Sequence, residues 1–348
     1  MWLLETNAQK AEKYAVEIYK QNSFSFDKIT GLKKWFPSKL KATKSFKFLT
    51  KEVFDQYLSS EPDKLLLLHQ NLFDYLFNNP MQEFNQKLFT EYRQDLKEGK
   101  PVKRNSQYSV ISDDEIKAIK HIFNYDNYIS DNPTFSYYLA ELLNCNTCTY
   151  CNRQYTLTVK DNKGKRVIRP EFDHWFAQSL YPDLALSYYN LIPSCSFCNS
   201  VLKNDKETEL ETHIHPYLDK DSGFKFTYLL NQNGGFDVDI DITATDPVYR
   251  KRVENTLRLF KIHEVYGAHS GIELKDLIDL AIANPNDYIE TLIYKVMDSL
   301  NLDRETVIRL IFGIESNPNR FYYRPMSKFK SDIMEKLKKV YYTPIHGI

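Results

Sequence analysis

From Glu5 to about Leu143 apolar residues recur at helical spacing. Ala11, Tyr14, Ala15 and Ile18 share one face of a 3.6-residue repeat, and Leu65, Leu68, Leu72, Tyr75 and Leu76 share another. Breaks at Phe36-Pro37, Glu61-Pro62, Asn79-Pro80, Gly99-Lys100-Pro101 and Asn132-Pro133 divide this stretch into five or six helices. The period then changes to two. Tyr155, Leu157 and Val159 alternate with polar residues, "DNKG" turns the chain, and Val167, Ile168 and Phe172 follow, which predicts a β-hairpin over 153–172. A second strand pair is predicted at Phe224–Leu230 and Phe236–Ile242, joined by "NQNGG". Beyond Pro247 helical spacing returns through Leu257, Phe260, Ile262 and Val265. It continues over Leu274–Ile282, Tyr288–Leu300, Arg304–Ile311 and Met326–Val340.

Length and composition fit a folded chain: 348 residues, of which 42% are hydrophobic, suffice for one large or two to three ordinary domains. The 46 basic and 46 acidic residues cancel, so the molecule is no basic coat for a polyanion, and nucleic-acid binding would need a local patch. One such patch is "KKWFPSKLKATKSFKF", residues 33–48, with six lysines and no acid. It reads as a solvated face, or more sharply as a phosphate-tracking or partner-docking segment. The longest purely apolar run, Leu65 to Leu68, is far short of the roughly 18 residues a membrane span needs. The N-terminus lacks the pattern of a secretory signal. The expectation is a soluble, cytoplasmic protein without membrane contact.

Sulfur changes this picture most. All five cysteines fall between Cys145 and Cys198, and four form two CxxC pairs, Cys148/Cys151 and Cys195/Cys198, with 43 residues between the pairs. Four thiolates in two such knuckles suit tetrahedral Zn²⁺ in a structural role, and a reducing compartment favours metal over disulfides. Cys145 is left as a small buried hydrophobe that could substitute as a ligand. A CxxC redox protein is the weaker reading, because no βαβ unit precedes either pair.

Between and beyond the knuckles runs "RPEFDHWFAQSLYPDLALSYYNLIPSCSFCNSVLKND". An acidic residue before His, a central Asn and a closing Asn, framed by CxxC knuckles, resembles an HNH (ββα-metal) endonuclease over about Cys148 to Pro216. The resemblance implies an α+β fold, a mostly helical chain around a zinc-stapled ββα-metal core. It divides the chain into a helical docking or regulatory region at 1–143, the nuclease core at 144–216, and a strand pair plus helices at 217–348. His174 would be the general base, an imidazole largely neutral at pH 7 to 8. Asp173 and Asn199 would supply oxygen ligands to one catalytic Mg²⁺ or Mn²⁺. Asn190 would hold the loop carrying His174, and Lys203 would contact the substrate backbone. Many members close the motif with His, so Asn199 is a departure that favours an oxygen-preferring ion. His215, in "HIHPYLD", could approach the metal or the scissile phosphate, although a packing role for that turn is the plainer reading.

Further on, "FKFTYLLNQNGGFDVDIDI" and "NTLRLFKIHEVYGAH", with Glu264, Tyr266 and His269, are similar to the segments that follow the core in Septu-type phage-defence HNH proteins, some of them retron-associated. That similarity implies a partner, an ABC- or SMC-like ATPase, and a nucleic-acid substrate, either DNA or an RNA such as tRNA. The competing expectation is a zinc-stabilised module that binds nucleic acid or a partner without chemistry.

Overall fold

The structure is a computed structural model that describes residues 3–22, 26–27, 31–32, 43–76, 113–283 and 288–341. Residues 33–42 of the lysine-rich segment and the helical stretch expected over 77–112 lie outside the described residues.

Among the described residues the N-terminal region is mostly helical, as its periodicity predicts. It comprises α1 (Ala8–Asn22), a short strand pair β1 (Phe26–Asp27) and β2 (Gly31–Leu32), α2 (Lys44–Phe48), α3 (Lys51–Ser59), α4 (Pro62–Leu76), α5 (Asp113–Ile122) and α6 (Pro133–Leu143). Local chemistry sets the ends. The Thr50 hydroxyl accepts from the Val53 N–H at the start of α3, and the Asn132 side chain accepts from the Phe135 N–H ahead of Pro133 at the first turn of α6. Asn144, at φ 53°, ends α6 in the left-handed conformation that Asn tolerates, immediately before the first cysteine.

Next come β3 (Val159–Lys160), β4 (Arg166–Ile168), β5 (Glu171–His174), β6 (Leu191–Ser194) and α7, a π-helical turn over Phe197–Lys203. The hairpin expected over 153–172 is shorter than its pattern. β3 and β4 pair around a turn at 161–165, and Phe172 belongs to a separate strand. Pro170 explains the break, since it has no N–H to carry a ladder from β4 onward. β5 pairs antiparallel with β6 instead, Phe172 opposite Pro193 and His174 opposite Leu191.

The pair β7 (Phe224–Leu230) and β8 (Phe236–Ile242) coincides with the expected strands, and Gly234 takes φ 75° in the turn between them, a conformation that favours glycine. The C-terminal helices are α8 (Pro247–Leu259), α9 (Ile262–Gly267), α10 (Lys275–Ala283), α11 (Tyr288–Leu300), α12 (Arg304–Phe312) and α13 (Ser327–Tyr341). α13 is fixed to β7 by Lys328, whose ammonium donates to the Phe224 carbonyl and pairs with Asp332. The fold is thus mostly helical with small two-stranded sheets, consistent with α+β.

One buried apolar cluster runs from Ala11 to Leu337, so the flanking helices share a core with the central strands. Two polar contacts show how α1 and α4 grip the connection between β5 and β6. The buried Tyr14 hydroxyl donates to the Leu186 carbonyl at 2.6 Å, and the fully buried His69 ring bonds Asp183 at 2.7 Å. No helix among the described residues is long and apolar enough to cross a membrane.

Candidate metal clasp and polar cavity

The sulfurs of Cys148, Cys151, Cys195 and Cys198 all lie within 4.8 Å of one another, and all four residues are buried. Folding delivers them from two places. Thr149, inside the first pair, bonds the Pro193 carbonyl of β6 through both its N–H, at 3.2 Å, and its hydroxyl, at 2.7 Å. The second pair sits at the far end of the same strand, with Cys198 on α7. Tetrahedral Zn²⁺ with bonds near 2.3 Å puts thiolates about 3.8 Å apart, so this quartet fits zinc. The donor set agrees. Burial pushes the Cys148 thiol up, whereas the neighbouring sulfurs and the Arg153 N–H, 3.4 Å away, hold Cys151 down. Four thiolates this close would repel one another, and a divalent cation among them would offset that repulsion. Cys145 is no part of it: its thiol donates to the Leu143 carbonyl and burial pushes it up to about 12.

A cavity of about 530 Å³ opens beside the clasp, with Tyr125, Arg169, Glu171, Asp173, His174, Asn199 and Ser200 in its wall. Three of the candidate residues therefore meet there. The half-buried His174 ring is edge-on to Tyr125 at 4.4 Å, and its Nε2 lies 3.0 Å from the Ala185 carbonyl. A carbonyl can only accept, so Nε2 carries the proton and Nδ1 keeps a lone pair. Burial lowers the imidazole to about 4.

Asn190 holds the loop that presents Ala185. Its fully buried amide accepts from the Phe176 N–H at 2.7 Å and donates to the Phe176 and Leu184 carbonyls at 3.2 and 3.0 Å.

Asp173 is buried, accepting from the Tyr150 hydroxyl on one oxygen and from the Lys203 ammonium, 3.2 Å away, on the other. Here the expectation for Lys203 is corrected. It is 0% exposed and also donates to the His174 carbonyl at 2.6 Å, so it secures β5 from inside and does not reach outward to a substrate. A buried carboxylate needs a counter-charge, and Lys203 supplies it.

Asn199 donates its amide N–H to Glu171 at 2.9 Å, and the Ser200 hydroxyl donates to the same oxygen at 3.0 Å. Glu171 was missed by the sequence reading, although period-two alternation already put it on one face with Asp173. Asp173, with both oxygens already engaged by Tyr150 and Lys203 inside the fold, does not take the metal-ligand role expected of it, whereas Glu171 and Asn199 keep carboxylate and amide oxygens in the cavity wall.

His215 is not in this wall. It is fully buried against Trp175, ring centroids 4.4 Å apart, and its Nδ1 accepts from the Tyr217 N–H at 3.2 Å, so it packs the turn. Tyr266 donates its hydroxyl to the Cys151 carbonyl at 2.6 Å, bracing the first knuckle from α9, while Glu264 is exposed and His269 pairs with Glu273 at 2.7 Å.

Among curated proteins the chain is similar to the Septu protein PtuB of Bacillus thuringiensis, 28% identical over 131 residues, which is 37% of this chain. The match spans about half of that protein, 47% of its length. No family model and no solved structure matches the chain.

Proposed function

We propose that the protein is a metal-dependent endonuclease of the HNH type that hydrolyses phosphodiester bonds in nucleic acid. The observation that carries this reading is that Asp173 and His174 from β5 and Asn199 from α7 line one polar cavity beside a four-cysteine clasp. A bound divalent cation would neutralise charge that develops on the phosphate in the transition state. His174 Nδ1 takes a proton from water as the water oxygen attacks phosphorus. The phosphorus–oxygen bond to the leaving group breaks, and that oxygen takes a proton from solvent. The Ala185 carbonyl keeps His174 in the tautomer that can accept. Asn190, by fixing the loop at Phe176 and Leu184, keeps that carbonyl in place.

In this reading residues 144–216 carry the chemistry, with structural zinc in the clasp. The flanks 1–143 and 217–348 would restrain it and dock a partner. The similarity to a Septu protein supports a role in phage defence, and the partner in this reading is an ATPase. The test is cleavage of plasmid DNA and tRNA with Mg²⁺, alone and with an ATPase encoded beside it, comparing wild type with His174→Ala. Loss of cleavage in the variant, with zinc content and folding intact, supports the reading. Equal cleavage by both proteins refutes it.

A further inference from the structure

The hairpin β3–β4 is built unlike the rest of the chain. Every residue from 159 to 168 is exposed, on both faces of the ribbon, and Val167 and Ile168 are 62% and 58% exposed. From Arg153 to Arg169 the segment "RQYTLTVKDNKGKRVIR" has six basic residues and one acid. That acid, Asp161, is spent on the turn, accepting from the Lys163 and Lys165 N–H groups at 2.9 and 2.7 Å. The ribbon is rooted on α6: Lys160 pairs with Glu141, and Arg166 donates to the Thr134 hydroxyl at 2.8 Å. The ammonium groups of Lys163 and Lys165 at the tip form no ion pair among the described residues. Directly after β4, Arg169 enters the wall of the cavity that holds His174.

We infer that this ribbon is a DNA-docking element that lies in the major groove of a duplex and leads one strand to the cavity, an inference that rests on the endonuclease reading. A fully exposed two-stranded ribbon matches the groove of B-DNA, about 12 Å wide, which admits such a ribbon, whereas the deep, narrow major groove of A-form RNA does not. Lys163 and Lys165 contact phosphates, and the exposed Val167 and Ile168 meet sugars and thymine methyls. From Lys165 to Arg169 an extended chain spans roughly 13 Å, at 3.3 Å per residue, well inside one 34 Å turn of the duplex. Tip and cavity therefore address the same turn.

The test uses the full chain with His174→Ala, so that nothing is cut, and titrates labelled duplex DNA and duplex RNA of one sequence over a series of salt concentrations. Adding Lys163→Ala and Lys165→Ala together should weaken DNA binding evenly across sequences. It should lower the slope of log K against log salt by about 2, since each phosphate contact contributes about 0.9. Melting temperature and zinc content should stay constant, because both side chains are at the surface. An unchanged slope overturns the inference. So does an equal loss on duplex RNA, or unchanged DNA binding with loss of a co-expressed protein partner. The two proposals fail separately. Hairpin-dependent binding by a wild type that cuts no DNA or RNA keeps the docking and rejects the nuclease. Cleavage that depends on His174, with the slope unmoved by the lysine changes, does the reverse.

Discussion

Replacing Lys203 by Met removes the positive charge from an enclosed pair while filling a similar volume. The side chains of Lys203 and Asp173 are 1% and 2% exposed, with Nζ and Oδ1 3.2 Å apart. At an effective dielectric near 20 two unit charges at that distance attract by about 5 kcal/mol. Deleting one partner of a buried pair costs about 3–5 kcal/mol, because the remaining charge is stranded away from water. The Tyr150 hydroxyl still donates to Asp173 and softens the loss, so about 3 kcal/mol is expected. Urea unfolding of the zinc-loaded protein at pH 7 measures it, with m values checked for a two-state transition. Adding Asp173→Asn to Lys203→Met should restore much of the loss, because the stranded charge disappears, giving a strong coupling in the double-mutant cycle. A loss below about 1 kcal/mol in Lys203→Met would refute the assignment of Lys203 as the counter-charge.

Asn190→Ala leaves the Phe176 N–H without its buried acceptor and should cost about 1–3 kcal/mol, with a larger fractional loss of cleavage than of stability; unchanged cleavage kinetics would show that the loop needs no such tether. Because burial lowers His174 to about 4, its neutral form persists well below the usual 6.5, so cleavage should hold as pH falls through 6.5 and decline only nearer 4. A kcat/KM profile whose acid limb sits at 6.5 argues against His174 as the base. Tyr266→Phe removes one donor from the Cys151 carbonyl and should cost about 1 kcal/mol while speeding zinc loss to a chelator, read by a colorimetric zinc indicator. An unchanged release rate would separate α9 from the clasp.

The residues whose roles depend on short sequence spacing were legible. Two CxxC pairs announce a quartet because two intervening residues bring both sulfurs to one ion, and "NQNGG" announces the β7–β8 turn through its glycines. β6 was not legible. "LIPS" is a four-residue run buried throughout, with neither alternation nor helical period, and Pro193 within it argues against a strand until the fold shows that its missing N–H costs no ladder bond. The inward direction of Lys203 was not legible, because Phe197–Lys203 is a π-helical turn whose facing differs from that of an α-helix. The role of Glu171 was not legible because it depends on Asn199 and Ser200, 28 and 29 residues away, which donate to it only once α7 folds against β5.

The bonds from Thr149 to the Pro193 carbonyl have a consequence for solubility. β5 covers one side of β6, and the first knuckle occupies the other, so the clasp seals what would be an open edge of a two-stranded sheet. An open edge backed by the buried run Leu191 to Ser194 is a template for pairing with other chains. The first knuckle therefore covers this edge, and a change that frees the knuckle from β6, such as Thr149→Val, should raise β-rich aggregation, read by thioflavin fluorescence.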